Sequence, residues 1–251
     1  MFSVRTVVLV LLIVGSAVPS RAQDAPLIAV GDDAVDAARL APGTQHYRLV
    51  RLTKGEEQQI GVVQATLTPY TDARGRKGLL YLFAQQTTRA TMTDSLFLNP
   101  ETLEPYWYRN HAPGFQYIAV DYAPDHHVTG VHEFKDQPTR TIDEQMDGPR
   151  FDFTFYGELV RTLPLAEGFA ARLPVFHYAE GTAFVTAQVT GSETFEEGDH
   201  ETRAWLVEIT SPGGLDAMID GFVIPLLPLL KERYPNLTVT VSSSVPRTTL
   251  V

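Results

Sequence analysis

The residues best suited to metal chemistry lie in one short run, Asp125-His126-His127 followed by His132-Glu133. Imidazole and carboxylate are the ligand types that zinc and related divalent ions take. The spacing is not that of a metalloprotease helix. Gly130 between the two groups reads as a hairpin turn, across which His127 and His132 could approach. His126, His127 and His132 are therefore the candidate metal ligands, set against the plainer reading of solvated turn residues.

A second group is aromatic: Tyr106, Trp107, Tyr108, Phe115 and Tyr117. Five rings within twelve residues exceed what two neighbouring strands usually need for a core. They are the candidate lining of a pocket for an apolar or amphipathic molecule. Against that stands the general preference of aromatics for sheets. The paired acids Glu56-Glu57 and Glu196-Glu197 sit in charge-dense, turn-like stretches and read as solvated loop tips. The chain has no GxSxG elbow, SxxK, GxGxxG or phosphate-binding loop, and Ser95 has no local partner to activate it. No cofactor is implied and no catalytic residue is identified, so the expectation is a protein that binds rather than reacts.

These residues must be carried by strands. From His46 onward the pattern has period two, with Gln59 to Leu67, Gly78 to Thr87, Met92 to Leu98, Tyr106 to Arg109, Gln116 to Tyr122 and Val128 to Phe134 as successive runs. Their spacing is that of an antiparallel meander. In Gly78 to Thr87 both faces are apolar, which predicts cover on both sides. One helix is predicted over Asp152 to Leu163, where Phe155, Leu159 and Leu163 form a stripe at i, i+4 and i+8 and Pro164 stops it. Strands resume at Ala170 to Tyr178, Ala183 to Val189 and Arg203 to Thr210. The fold class is thus mainly β, an antiparallel curved sheet or open barrel with one or two helices packed on it. A single domain over residues 44–251 is expected, ending in an atypical helix–strand tail at 215–251, and residues 23–43 read as a flexible lead-in.

The first 22 residues read as a signal peptide: Arg5, the apolar run Val7 to Val14, then Ser20-Arg21-Ala22 before Gln23. Eight apolar residues span only about 12 Å as a helix, too short for a bilayer core. Cleavage would remove Arg5 and Arg21 and no acid, moving the formal charge from −10 to −12. The expected location is the periplasm or the exterior, with no transmembrane anchor after cleavage. The absence of cysteine excludes thiolate metal sites, cysteine nucleophiles and a lipid-attached cysteine. The acidic balance argues against nucleic acid as a partner. At 44% hydrophobic residues the chain is no disordered tail.

Asp94 to Pro105 carries the pattern D-S-x-x-x-x-P-x-T-L-x-P, followed by Leu163-Pro164-Leu165 with Gly168, Val189 to Thr194, and Ala204 to Glu208. Together these resemble the secreted bacterial family of domain of unknown function 3108 over about Tyr47 to Ile209. The resemblance implies a β-rich, barrel-like periplasmic domain without an assigned reaction, similar in architecture to lipoprotein-carrier half-barrels. Residues 215–241 depart from the family pattern. The first expectation is carriage of an apolar or amphipathic small molecule in an interior cavity; the alternatives are a structural adaptor that binds an envelope protein and a metal-dependent hydrolase built on His126, His127 and His132.

Overall fold

A computed structural model describes residues 6–8, 24–53, 56–87, 90–197, 200–210 and 242–244. The expected signal peptide apart from Thr6–Val8, and the expected helix–strand tail apart from Ser242–Ser244, lie outside the described residues.

The meander forms as the period-two pattern requires. Eight strands, β1 (Gly43–Thr53), β2 (Glu56–Thr71), β3 (Lys77–Thr87), β4 (Thr91–Leu98), β5 (Pro105–Ala112), β6 (Gln116–Tyr122), β7 (His127–Phe134) and β8 (Arg140–Gln145), pair antiparallel in strict chain order. Thr6–Val8 adds a short parallel pair outside β1. A second sheet follows: β9 (Phe151–Asp152), parallel to β10 (Ala170–His177), then the antiparallel β11 (Gly181–Glu197) and β12 (His200–Thr210), with Ser242–Ser244 alongside β12. The first and last strands of the larger sheet do not bond to each other, so the sheet is open rather than a closed barrel.

The expected helix is a 3₁₀ turn, Phe153–Phe155, running into α1 (Tyr156–Thr162). Asp152 starts it by accepting from the Thr154 amide at 2.8 Å. Phe155, Leu159 and Leu163 are buried together, so the stripe faces inward as read. They join one core with Val63, Ala65 and Leu67 of β2, Tyr81 and Phe83 of β3, Leu96 of β4, Ile118 and Val120 of β6, and Leu173, Val175 and Val185 of the second sheet. Phe155 meets Tyr81 edge-on at 5.2 Å between ring centres, and Phe176 meets Tyr122 at 5.7 Å.

Three expectations are corrected. The lead-in is anchored: Ile28, Val35 and Leu40 are buried in the core, and the Ile28 amide donates to the Arg172 carbonyl at 2.9 Å. Its Ala, Asp, Pro and Gly content hid three apolar anchors. The β3 strand is covered on only one side among the described residues. Tyr81 and Phe83 are buried, but Leu80 and Leu82 stay half-exposed on the outer face. Gly130 is no turn; it sits in the middle of β7, opposite Val120 and Ile142.

Candidate functional site

Removing the turn at Gly130 places His127 and His132 on one strand, five residues apart. Side chains alternate between faces, so the two rings point to opposite sides of the sheet. His127 Nε2 meets Asp143 Oδ1 at 2.6 Å on the outer face. His126, at positive φ in the preceding turn, places Nδ1 3.8 Å from Glu104 Oε1. His132 points inward. The three imidazoles face different partners and do not converge, and no group of three or more His, Cys, Asp or Glu suited to a metal occurs among the described residues.

The five aromatics separate for the same reason. Trp107 lies on the outer face and Tyr108 on the inner one. A break in register between Phe97 and Leu98 leaves Tyr106 without a cross-strand partner, and it too turns outward. Tyr106 and Trp107 seal Phe97 at 5.0 and 5.8 Å between ring centres, with Tyr70 edge-on at 5.4 Å. The Arg76 guanidinium stacks 4.6 Å from Tyr106, and that of Arg109 lies 5.4 Å from Trp107. Phe115 pairs with Phe134, and Tyr117 lies on the outer face near His111. These rings form a small outer cluster and two separate pairs, not one pocket.

The inner face holds a different set. Asp94 of β4, Asn110 of β5, Ile118 of β6, His132 of β7 and Arg140 of β8 are successive cross-strand partners, one row across the sheet. Asp94 Oδ1 accepts from the Tyr108 hydroxyl at 2.6 Å and from Asn110 Nδ2 at 2.7 Å. Gln116 bridges over Ile118: its Nε2 donates to Asn110 Oδ1 at 2.9 Å, and its Oε1 lies 3.4 Å from His132 Nε2. Tyr178, just past β10, stacks on Tyr108 and meets the His132 ring edge-on. His177 beside it is buried, and neither ring nitrogen has a hydrogen-bond partner. A second buried carboxyl, Asp152, accepts from the Tyr122 hydroxyl at 2.6 Å.

The polar row was legible and missed. Asp94 shares the inward parity of Met92, Leu96 and Leu98, as Asn110 does that of Tyr108 and Ala112 and Gln116 that of Ile118 and Val120. A polar residue on an apolar parity is the signal.

Burial raises the Asp94 carboxyl from 3.8 to about 6, with the charge of Asp152 adding and the Asn110 and Tyr108 hydrogen bonds opposing. Burial also raises Asp152. It lowers His177 from 6.5 to about 4, helped by the charges of His132 and Arg140. The two shifts act on stability with opposite signs. The Asp94 contribution is complete below about pH 4 and is lost as pH rises through about 6, a cost of about 3 kcal/mol at neutrality. The His177 contribution is complete above about pH 6.5 and is lost as pH falls through about 4.

Asp94→Asn keeps the oxygen that accepts both hydrogen bonds and removes the charge. At pH 7 it is expected to match the wild type or exceed it by up to about 3 kcal/mol. On acidification its stability should fall where that of the wild type stays nearly level, which urea denaturation across that range checks.

A second polar spot lies at the helix. Glu158 Oε2 accepts from Arg161 at 2.5 Å, and Arg161 also reaches Gln45 Oε1, which accepts from the Tyr47 hydroxyl. Burial raises Glu158, with Arg161 opposing. Leu40, Gln45, Leu67, Tyr81, Glu158 and Arg161 line a void of about 10 Å³, enough for a single water.

In the first spot Asp94, Asn110, Gln116, Asp152 and His177 are shut away from solvent, whereas Glu158 and Arg161 of the second are half-buried. The row's hydrogen bonds join neighbouring strands of the larger sheet, β4 to β7, and are satisfied together in this register.

No curated protein and no solved structure matches the chain. A family model described as a protein of unknown function, DUF3108, matches residues 45–232. That span holds β1 to β12 except the first two residues of β1, together with α1 and the whole polar row, and the chain belongs to the DUF3108 family.

Proposed function

We propose that the protein acts in the bacterial cell envelope or outside the cell, as a non-catalytic adaptor that engages another protein through its surface. The observation that carries this reading is the filled interior. The 3₁₀ turn and α1 insert Phe153, Phe155, Leu159 and Leu163 between the sheets, where a cargo molecule would have to lie. A carrier needs an enclosed cavity of several hundred Å³; among the described residues the void beside Glu158 holds about 10 Å³, and the larger hollow of about 380 Å³, lined by Thr87, Ala90, Thr91 and Pro113 at the β3–β4 turn, is a broad surface depression outside the core. The location rests on Arg5, the apolar run Val7 to Val14 and the small residues before Gln23. No helix among the described residues is long and apolar enough to cross a membrane.

The adaptor reading places contact on exposed apolar side chains, of which Val62, Tyr70 and Tyr117 lie on the larger sheet. Fractionation of the native host should find the protein in the periplasm or medium with Gln23 at its N-terminus. Photo-reactive residues at positions 62, 70 and 117 should then trap one partner of defined mass in cells. Fatty acids or phospholipids should leave the melting temperature unchanged. A rise of several degrees with either would restore the carrier role, because a ligand held in the fold stabilises it by mass action.

A further inference from the structure

The turn joining β10 to β11 closes the molecule along one side. Tyr178 inserts beneath β5 and β7, stacked on Tyr108 and edge-on to His132. Arg140 Nη1 of the edge strand β8 donates to the Ala179 carbonyl at 2.6 Å, and the Thr182 amide donates to Glu144 Oε1 at 3.3 Å. Gly181, at φ of 77°, lies so close to β8 that a Cβ there would stand 2.6 Å from Glu144 Oε2.

His177 sits beneath this turn, 4% exposed, with its ring centre 5.0 Å from that of Phe153 and 4.4 Å from that of Tyr178. Both nitrogens lack a partner. A protonated ring would present two donors and a positive charge to a site with no acceptor for either. The charges it would feel are those of His132 on β7 and Arg140 on β8, both repulsive when positive. The carboxylates nearby are committed. Asp152 accepts from Thr154 and Tyr122, Asp94 from Tyr108 and Asn110, and Glu144 from Thr182.

We propose that the β10–β11 turn is a clasp, closed in neutral surroundings and released when His177 takes up a proton, opening the seam along β8 and admitting water to the polar row. An uncompensated buried charge is relieved most directly by moving it to water. Beyond Tyr178, the bonds the clasp breaks are those of Arg140 and Thr182, whose hydrogen bonds are exposed to solvent. Asp94 works against release, since its protonated form favours the closed state, so the clasp opens only when His177 is protonated in spite of it. An envelope protein that meets acid surroundings would thereby change the face it presents.

The test is amide hydrogen exchange followed by mass spectrometry on the purified protein at about pH 7 and about pH 4.5, corrected for intrinsic rates. Protection of residues 174–182 and 140–145 should fall roughly tenfold or more at the lower pH while β2 to β4 keep theirs. His177→Phe keeps a flat ring between Phe153 and Tyr178 and cannot take a proton, so its clasp should remain protected. Equal loss in the variant and the wild type, or no loss in the wild type, overturns the proposal. Should the variant fail to fold, the NMR titration of His177 in the wild type decides. Its midpoint must coincide with the loss of protection, and a ring that titrates near the ordinary 6.5 while the clasp stays shut overturns it equally.

Discussion

Phe155→Ala is expected to destabilise the protein by about 3 to 5 kcal/mol, the range for removing a large buried ring and leaving the space it filled. Phe155 is 1% exposed, stands edge-on to Tyr81, and closes the 3₁₀ turn that leads into α1. Its neighbours belong to the larger sheet and to the helix, which are held at fixed separation by Leu159, Leu163 and Leu96, so the site cannot collapse around a methyl group. A domain of ordinary stability has only about 5 to 15 kcal/mol to lose. Guanidinium denaturation would measure the change. A loss under about 1 kcal/mol would mean that the helix does not plug the space between the sheets.

Gly130→Ala should cost about 3 kcal/mol or more, near the upper end of what overpacking does in ordinary cores. A Cβ at this position would stand 2.2 Å from the Ala119 carbonyl oxygen and 3.0 Å from the Val120 Cα. Both are backbone atoms of β6, so no side chain can swing aside, and relief requires β6 and β7 to part. Gly157→Ala provides the contrast. A Cβ there meets nothing within 4 Å, and alanine favours the helix that Gly157 occupies. Thermal melts of the two variants should move in opposite directions, or the second not at all. Similar losses in both would refute the steric account.

Gly130 also shows where reading the chain reached its limit. A glycine between two histidine groups reads equally well as a turn or as a strand residue under a close neighbour, and the deciding atom belongs to Ala119, on another strand. The metal expectation failed with that turn. The split of Tyr106, Trp107 and Tyr108, by contrast, was partly legible, because neighbours in a strand face opposite ways. Only the outward swing of Tyr106 depended on a register break invisible in sequence.

Where one apolar face decided the element, the sequence was enough. The strands from Gln59 to Phe134 and the stripe of Phe155, Leu159 and Leu163 stand where their periodicity places them. β8 was missed because Ile142 is its one buried residue and charge surrounds it. His177 could not be singled out, since burial comes from the Tyr178 turn folding over it and from Phe153, distant in the chain.

The strict chain order of the larger sheet has a consequence for how the molecule is made. Each of its strands bonds to the one that precedes it, so every new hairpin closes over a short loop and the entropy cost of pairing stays low. The sheet can therefore be laid down one strand at a time, from the N-terminal side, as the chain emerges from a ribosome or a translocation pore. Assembly must then wait at β9, whose parallel partner β10 follows only after the 3₁₀ turn and α1. Until β10 and β11 arrive, the inner surface of the meander has only the lead-in and α1 to cover it, and that pause is when the growing chain is most exposed to wrong contacts and to any helper that guards against them.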